Sequence, residues 1–223
     1  MTPHCPAIVT FSGIDGAGKT TQIHCVSAHL IHQGYRVTRV SFWDDVAVWA
    51  KLRAGVSLAL FRKEPTSPGH PALRNDKNVR TWYLGLIRAA FYLLDTLSLC
   101  HVVSRLRSAG HDFIIFDRYL YDQLAQIRSR SWLARAYIRV LVGLAPKPLA
   151  AFVLDASPDE AFARKPEYPL DFMHGYRRAF LSLRRLVPQL IVVAPSSVEN
   201  MQDQIFEHVS EAADLAVEGI ASA

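Results

Sequence analysis

The residues Gly13-Ile14-Asp15-Gly16-Ala17-Gly18-Lys19-Thr20 carry the spacing GxxxxGK[ST], and the chemistry which that spacing permits is the gripping of phosphate. Glycines let successive backbone N–H groups curl inward around phosphate oxygens, and the N-terminus of a following helix adds the positive end of its dipole. Lys19 is placed to reach the β- and γ-phosphates, and the Thr20 hydroxyl suits a Mg²⁺ ion. The candidate donor-binding set is therefore Gly13, Gly16, Ala17, Gly18, Lys19, Thr20 and Thr21, with ATP and Mg²⁺ as the ligands it implies.

A second chemical cluster stands at Ile114-Ile115-Phe116-Asp117-Arg118. A carboxylate closing an apolar strand beside such a cradle can hold Mg²⁺ or its water shell, which makes Asp117 the second metal candidate after Thr20. Arg118 follows where many ATP-hydrolysing relatives of this motif place a water-activating Glu, so the site reads as built for a second anion. An exposed Asp–Arg pair is the plain alternative. The guanine-reading NKxD pattern is absent from the chain, which disfavours a GTPase switch.

These residues need a scaffold that brings two strand ends together. Apolar runs rich in Val, Ile and Phe recur at 7–12, 36–42, 113–117, 151–155 and 190–193, separated by segments long enough for helices. Their near-continuous hydrophobicity predicts strands buried on both faces of a parallel sheet, hence an α/β doubly wound, five-stranded fold. Helices are predicted over 20–33 and 79–109, with Gly34 and Gly110 as left-handed caps, over 158–164 with Pro158 in its first turn, and over 171–186. Pro65, Pro68, Gly69 and Pro71 make 62–78 a long loop, expected near the substrate mouth.

With 223 residues, half of them apolar, one domain over 1–223 is expected. The apolar stretch from Tyr83 to Cys100 is broken by Arg88 and Asp95, so no membrane segment is expected. The first strand has no basic-then-apolar leader, which reads as cytoplasmic. Cys5, Cys25 and Cys100 are widely spaced with no CxxC pair, and are expected to be reduced. The net charge of +5 fits either nucleic acid or nucleotides. Without a long basic run or interleaved aromatics, a compact phosphate ligand fits better than a nucleic-acid track. His24, His29 and His32 share one helix and read as a solvent-facing cluster.

Across Phe11–Gln22 and at Asp117-Arg118-Tyr119 the sequence resembles the thymidylate kinases, P-loop nucleoside monophosphate kinases that transfer the ATP γ-phosphate to dTMP. Asp155-Ala156-Ser157-Pro158-Asp159-Glu160-Ala161 is similar to the segment in which that family enters its lid. The resemblance implies a five-stranded P-loop fold, a nucleotide acceptor, a lid near 158–175 and a homodimer. It assigns the acceptor sugar to Asp15, and the acceptor phosphate to Arg118 and to Arg53 of Lys51-Leu52-Arg53. Because the P-loop offers only Gly16 where some members carry a basic side chain, Arg164 and Lys165 become the donors of positive charge to the transferring group. Asp15 and Arg53 also read as ordinary solvated charges, and Arg164 and Lys165 as a helix end.

The departures fall on acceptor recognition. Phe42-Trp43-Asp44-Asp45 replaces the family's Glu-Pro-Gly-Gly. Tyr92 stands where the family stacks a ring on thymine, yet Asp95-Thr96 replaces its Asp-Arg, and Tyr92 also keeps core spacing with Tyr83, Leu86, Ala90, Leu94 and Leu97. After Tyr119 the chain offers Gln123 and Gln126 to the acceptor, Gln126 replacing a tyrosine that excludes a 2′-hydroxyl. Three readings follow: a dTMP kinase-like enzyme, a kinase for another nucleotide, nucleoside or phosphorylated metabolite, and a nucleotide-binding protein without turnover.

Overall fold

Five short strands, all parallel, form one sheet in the order β2-β3-β1-β4-β5. They are β1 (Ala7–Ser12), β2 (Val37–Ser41), β3 (Phe113–Asp117), β4 (Ala150–Leu154) and β5 (Leu190–Val193). The computed structural model describes residues 6–48, 82–127, 129 and 131–221. Arg53 and the loop 62–78 lie outside the described residues.

Parallel neighbours cannot be joined by tight turns, so helices cross between the strands and cover both sheet faces. Alternation along each strand divides the apolar residues between two cores. One holds Ile8, Val40, Ile114, Phe116, Ala151 and Val153 under Leu99, Ile138 and Leu183. The other holds Val9, Phe11, Ile115, Phe152 and Leu154 under Ile23, Val26 and Ile205. This is the doubly wound α/β architecture that the near-continuous apolar runs predict.

Helix α1 (Lys19–His32) follows the Gly-rich turn and ends where Gly34 turns left-handed at φ 91°, returning the Tyr35 N–H to the Leu30 carbonyl at 3.1 Å. After β2 comes one turn of π-helix, Phe42–Val46, in which Asp45 accepts the Ser41 N–H and Asp44 the Ser41 hydroxyl, each at 2.7 Å. Both carboxylates are thereby spent on the turn. Helix α2 (Trp82–Ser108) follows, then α3 (Leu120–Leu124) and α4 (Trp132–Leu144) between β3 and β4. Helices α5 (Pro158–Arg164) and α6 (Leu170–Leu183) precede β5, and α7 (Val198–Ala221) closes the chain.

Within α2, Gly85–Ser108 is long and apolar enough, by length and composition, to cross a membrane. Arg88 and Asp95 fall in the first part of that stretch, and a core helix of a soluble protein meets the same measure of length and composition. One face of α2 nevertheless packs inward, with Asp95, Thr96, Leu99 and Val103 buried.

Candidate active site

The loops after β1 and β4 leave neighbouring strands in opposite directions, which makes the carboxyl ends of the sheet there the topological switch point at which folds of this kind bind ligands. The Gly-rich turn lies there. Gly13, Gly16 and Gly18 all have positive φ, at 139°, 86° and 87°, the backbone curl that a phosphate cradle requires. Gly16 is constrained twice. A Cβ there would stand 2.6 Å from the Ala161 carbonyl oxygen of α5, so no side chain fits between the turn and the segment resembling a lid. Basic help at this position must come from α5, and Arg164 does reach back, its Nη1 donating to the Gly16 carbonyl at 3.2 Å while Nη2 meets Glu160 at 3.2 Å.

Lys19 is only 7% exposed and folds over its own turn, donating to the carbonyls of Gly13 at 3.0 Å and Ile14 at 2.9 Å, with Asp15 at 3.6 Å. Burial, reinforced by Arg118, lowers its pKa, and Asp15 and Asp122 pull the other way. An ammonium that meets, among the described residues, two carbonyls and one shared carboxylate is poised for a stronger anion, so the cradle fits a polyphosphate. Thr20 and Thr21 sit exposed on the first turn of α1, and Ala17 is buried beneath it.

Asp117 ends β3, in register with Phe11 of β1 on one side and Ser41 of β2 on the other. A carboxylate at that strand end, beside the strand that leads into the Gly-rich turn, carries the hard oxygen donors that Mg²⁺ and its waters take. Arg118 takes a left-handed backbone at φ 66°, the one non-glycine to do so among the described residues, and its N–H is fixed by the Phe11 carbonyl at 2.9 Å. Its Nη2 pairs with Asp15 and its Nη1 with Asp122 at 3.2 Å. Burial works against the guanidinium charge, but the two carboxylates prevail and hold it protonated.

The structure thus brings Asp15, Lys19 and Arg118 to one cluster, with Arg164 on the Gly16 carbonyl at its edge. Lys165 pairs with Glu167 at 2.9 Å on the rim. Other sequence candidates are engaged elsewhere. Tyr92 lies in the core with Phe42, Val46 and Leu124. Its helical spacing with Leu94 and Leu97 did not place those two beside it, since both are exposed. Gln123 is fully buried and donates to Asp95 Oδ2 at 2.5 Å, while Asp95 Oδ1 takes the Val48 N–H at 2.7 Å. Gln126 reaches the Asp122 carbonyl at 3.5 Å. His24 leans on Arg39, and His29 stacks on Phe206 at 4.4 Å.

Sequence reasoning missed Asp122, which is fully buried, and Ser12, whose hydroxyl binds it at 2.6 Å. The available signal was an acid four residues after Arg118 at a helix start. It also missed the fork of Arg177 on Asp155, two contacts of 2.6 Å that tie α6 to the end of β4. Tyr176 of α6 donates to the Asp122 carbonyl at 2.9 Å and stands stacked beside Phe172.

No protein-family model matches the chain. It is 24% identical over 202 residues to a probable thymidylate kinase of Methanosphaera stadtmanae, covering 88% of this chain and 94% of that one. A probable thymidylate kinase of Archaeoglobus fulgidus is 23% identical, with 89% and 92% covered, and one of Sulfurisphaera tokodaii is 24% identical, with 89% and 93% covered. The fold matches the crystal structure of thymidylate kinase from Ehrlichia chaffeensis with a TM-score of 0.55 at 16% identity, over 92% of this chain and 98% of that one.

Proposed function

We propose that this chain, thymidylate kinase-like in sequence over most of its length, is a phosphotransferase that moves the γ-phosphoryl group of ATP to dTMP or a closely related nucleoside monophosphate. The observation that carries the reading is the meeting of Lys19, Arg118 and Asp15 in one cluster, a donor-phosphate cation and an acceptor-phosphate cation sharing a carboxylate.

The donor phosphates would occupy the turn of Gly13, Gly16, Ala17 and Gly18, displacing the Lys19 ammonium from its own carbonyls onto the β- and γ-oxygens. Thr20 and Asp117 would hold Mg²⁺, which supplies charge neutralisation between the phosphates. Arg118, with Arg53, would hold the acceptor phosphate, and Asp15 would accept a hydrogen bond from the sugar. An acceptor phosphate oxygen attacks the γ-phosphorus while the bond to the β-bridging oxygen breaks, and ADP leaves with that electron pair. The acceptor is already ionised near neutral pH, so no side chain removes a proton. Arg164 and Lys165 of the lid segment add positive charge as the phosphoryl group moves. The whole chain would serve as one catalytic domain, paired as a homodimer.

The buried Tyr92 and the Gln123–Asp95 pair favour a second acceptor over thymine within this same chemistry, since the ring-stacking position is spent on the core. Coupled ADP release, with ATP and Mg²⁺ against a panel of deoxy- and ribonucleoside monophosphates, separates the readings. Strong stimulation by dTMP supports the first, and stimulation by another nucleotide supports the second. A silent panel with ATP binding intact overturns both, with Lys19→Ala as the background control.

A further inference from the structure

Asp122 is a carboxylate with no exposed surface, and its two oxygens do different work. Oδ2 accepts the Ser12 hydroxyl at 2.6 Å and the Tyr119 N–H at 3.2 Å, which ties the start of α3 to the residue just before the Gly-rich turn. Oδ1 accepts Arg118 Nη1 at 3.2 Å and takes no part in capping the helix. Asp15 grips the other arm of the same guanidinium, but under different conditions. It is partly exposed, sits on the turn itself and shares its charge with Lys19. Of the two carboxylates, Asp15 can let go and Asp122 cannot.

We propose that Asp122 is the positioning residue of the acceptor-phosphate arginine: it holds Nη1 of Arg118 permanently, so that Nη2, which Asp15 holds from the partly exposed turn, is the edge an incoming phosphate takes. This rests on the kinase reading above. Arg118 is then anchored at both ends, its left-handed backbone by the Phe11 carbonyl and its guanidinium by Asp122, and only one of its two arms is exchangeable. The arrangement limits the arginine to a single approach direction, which is how a flexible side chain acquires the sub-ångström placement that in-line transfer needs. A cap alone would need only Oδ2.

The test uses the full chain with Asp122→Asn, Asp15→Asn and, for assignment, Arg118→Lys. In Asp122→Asn the acceptor KM is expected to rise about tenfold or more, as for the loss of a charge-assisted hydrogen bond, while the KM for ATP changes by less than about twofold. Equal rises in both constants, or no change in the acceptor KM, overturn the proposal. Guanidinium ¹⁵N resonances provide a readout that needs no turnover. Slowly rotating Arg118 Nη signals should persist in Asp15→Asn and vanish in Asp122→Asn, and the opposite pattern overturns the proposal even if every acceptor proves inactive. An inactive panel with the expected resonance pattern would sink the kinase reading and leave the Asp122 anchor standing. Should Asp122→Asn fail to fold, Ser12→Ala, which frees the anchored carboxylate without touching Arg118, should raise the acceptor KM in the same direction by about threefold. An unchanged KM there counts against the anchor.

Discussion

Lys19 brings an ammonium into a nearly enclosed site whose strongest partners, in the described contacts, are two carbonyls and a shared carboxylate. Its replacement by Met should lower phosphoryl transfer by about 10²–10³-fold, measured as ADP release, because the charge that follows the migrating phosphoryl is gone. The same burial gives a stability signature. Folding lowers the Lys19 pKa below 10.5, so between that lowered value and 10.5 the unfolded chain binds the extra proton and stability rises with pH. Lys19→Met lacks that climb. The melting temperature of the variant minus that of the native protein should therefore fall as pH is raised from neutral towards 10.5, and a constant difference would show that Lys19 pays no burial cost. Gln123 tests the neighbouring pair. Gln123→Glu sets a second carboxylate at hydrogen-bond distance from the buried Asp95, and denaturant unfolding should report a loss of about 3 kcal/mol.

Between elements, the close approach of α5 to the Gly-rich turn sets the tolerances. Gly18→Ala meets open space and should cost only the left-handed backbone, about 1–2 kcal/mol. Gly16→Ala meets the Ala161 carbonyl as well, so it should cost more in stability than Gly18→Ala and also pull Arg164 off the turn, lowering kcat. Equal melting temperatures for the two variants would mean that α5 moves aside freely. The strands and the turn after β1 were legible in sequence because their signals are local: continuous apolar runs, glycines at fixed spacing and a carboxylate closing β3. Helices α4 and α7 were not read from the sequence, although Pro146 follows the end of α4, which starts on a Ser131 cap that accepts the Ala134 N–H at 3.1 Å. Partnerships across the chain were the least legible. Ser12 and Asp122 are 110 residues apart, and Asp95 and Gln123 are 28 apart. Asp44 and Asp45 stood out by type, yet their oxygens close a turn, which spacing alone does not reveal.

At the scale of the molecule, the outward faces of α2 and α4 are the feature that folding leaves unspent. Leu86, Leu93, Leu94 and Leu97 recur along α2 at spacings of seven, one and three, which is one helical face, and Leu86 is 61% exposed. Trp132, at 70%, with Leu133, Val140 and Leu144, continues the apolar surface on α4, which packs beside α2. Exposed apolar faces on two helices that pack together are costly in water and mark a contact surface. If the homodimer proposed above forms across it, sedimentation of the native protein should give twice the monomer mass. Leu94→Lys with Leu97→Lys should shift it to monomer without unfolding it, since replacing residues already exposed changes the stability of one chain by about 0.5 kcal/mol or less each. Melting curves separate the two effects. Loss of the dimer with a concentration-independent melt in the variant places the interface on α2, whereas an unchanged mass in both proteins assigns that face to some other contact and leaves the catalytic proposal, which uses residues at the carboxyl ends of the strands, untouched.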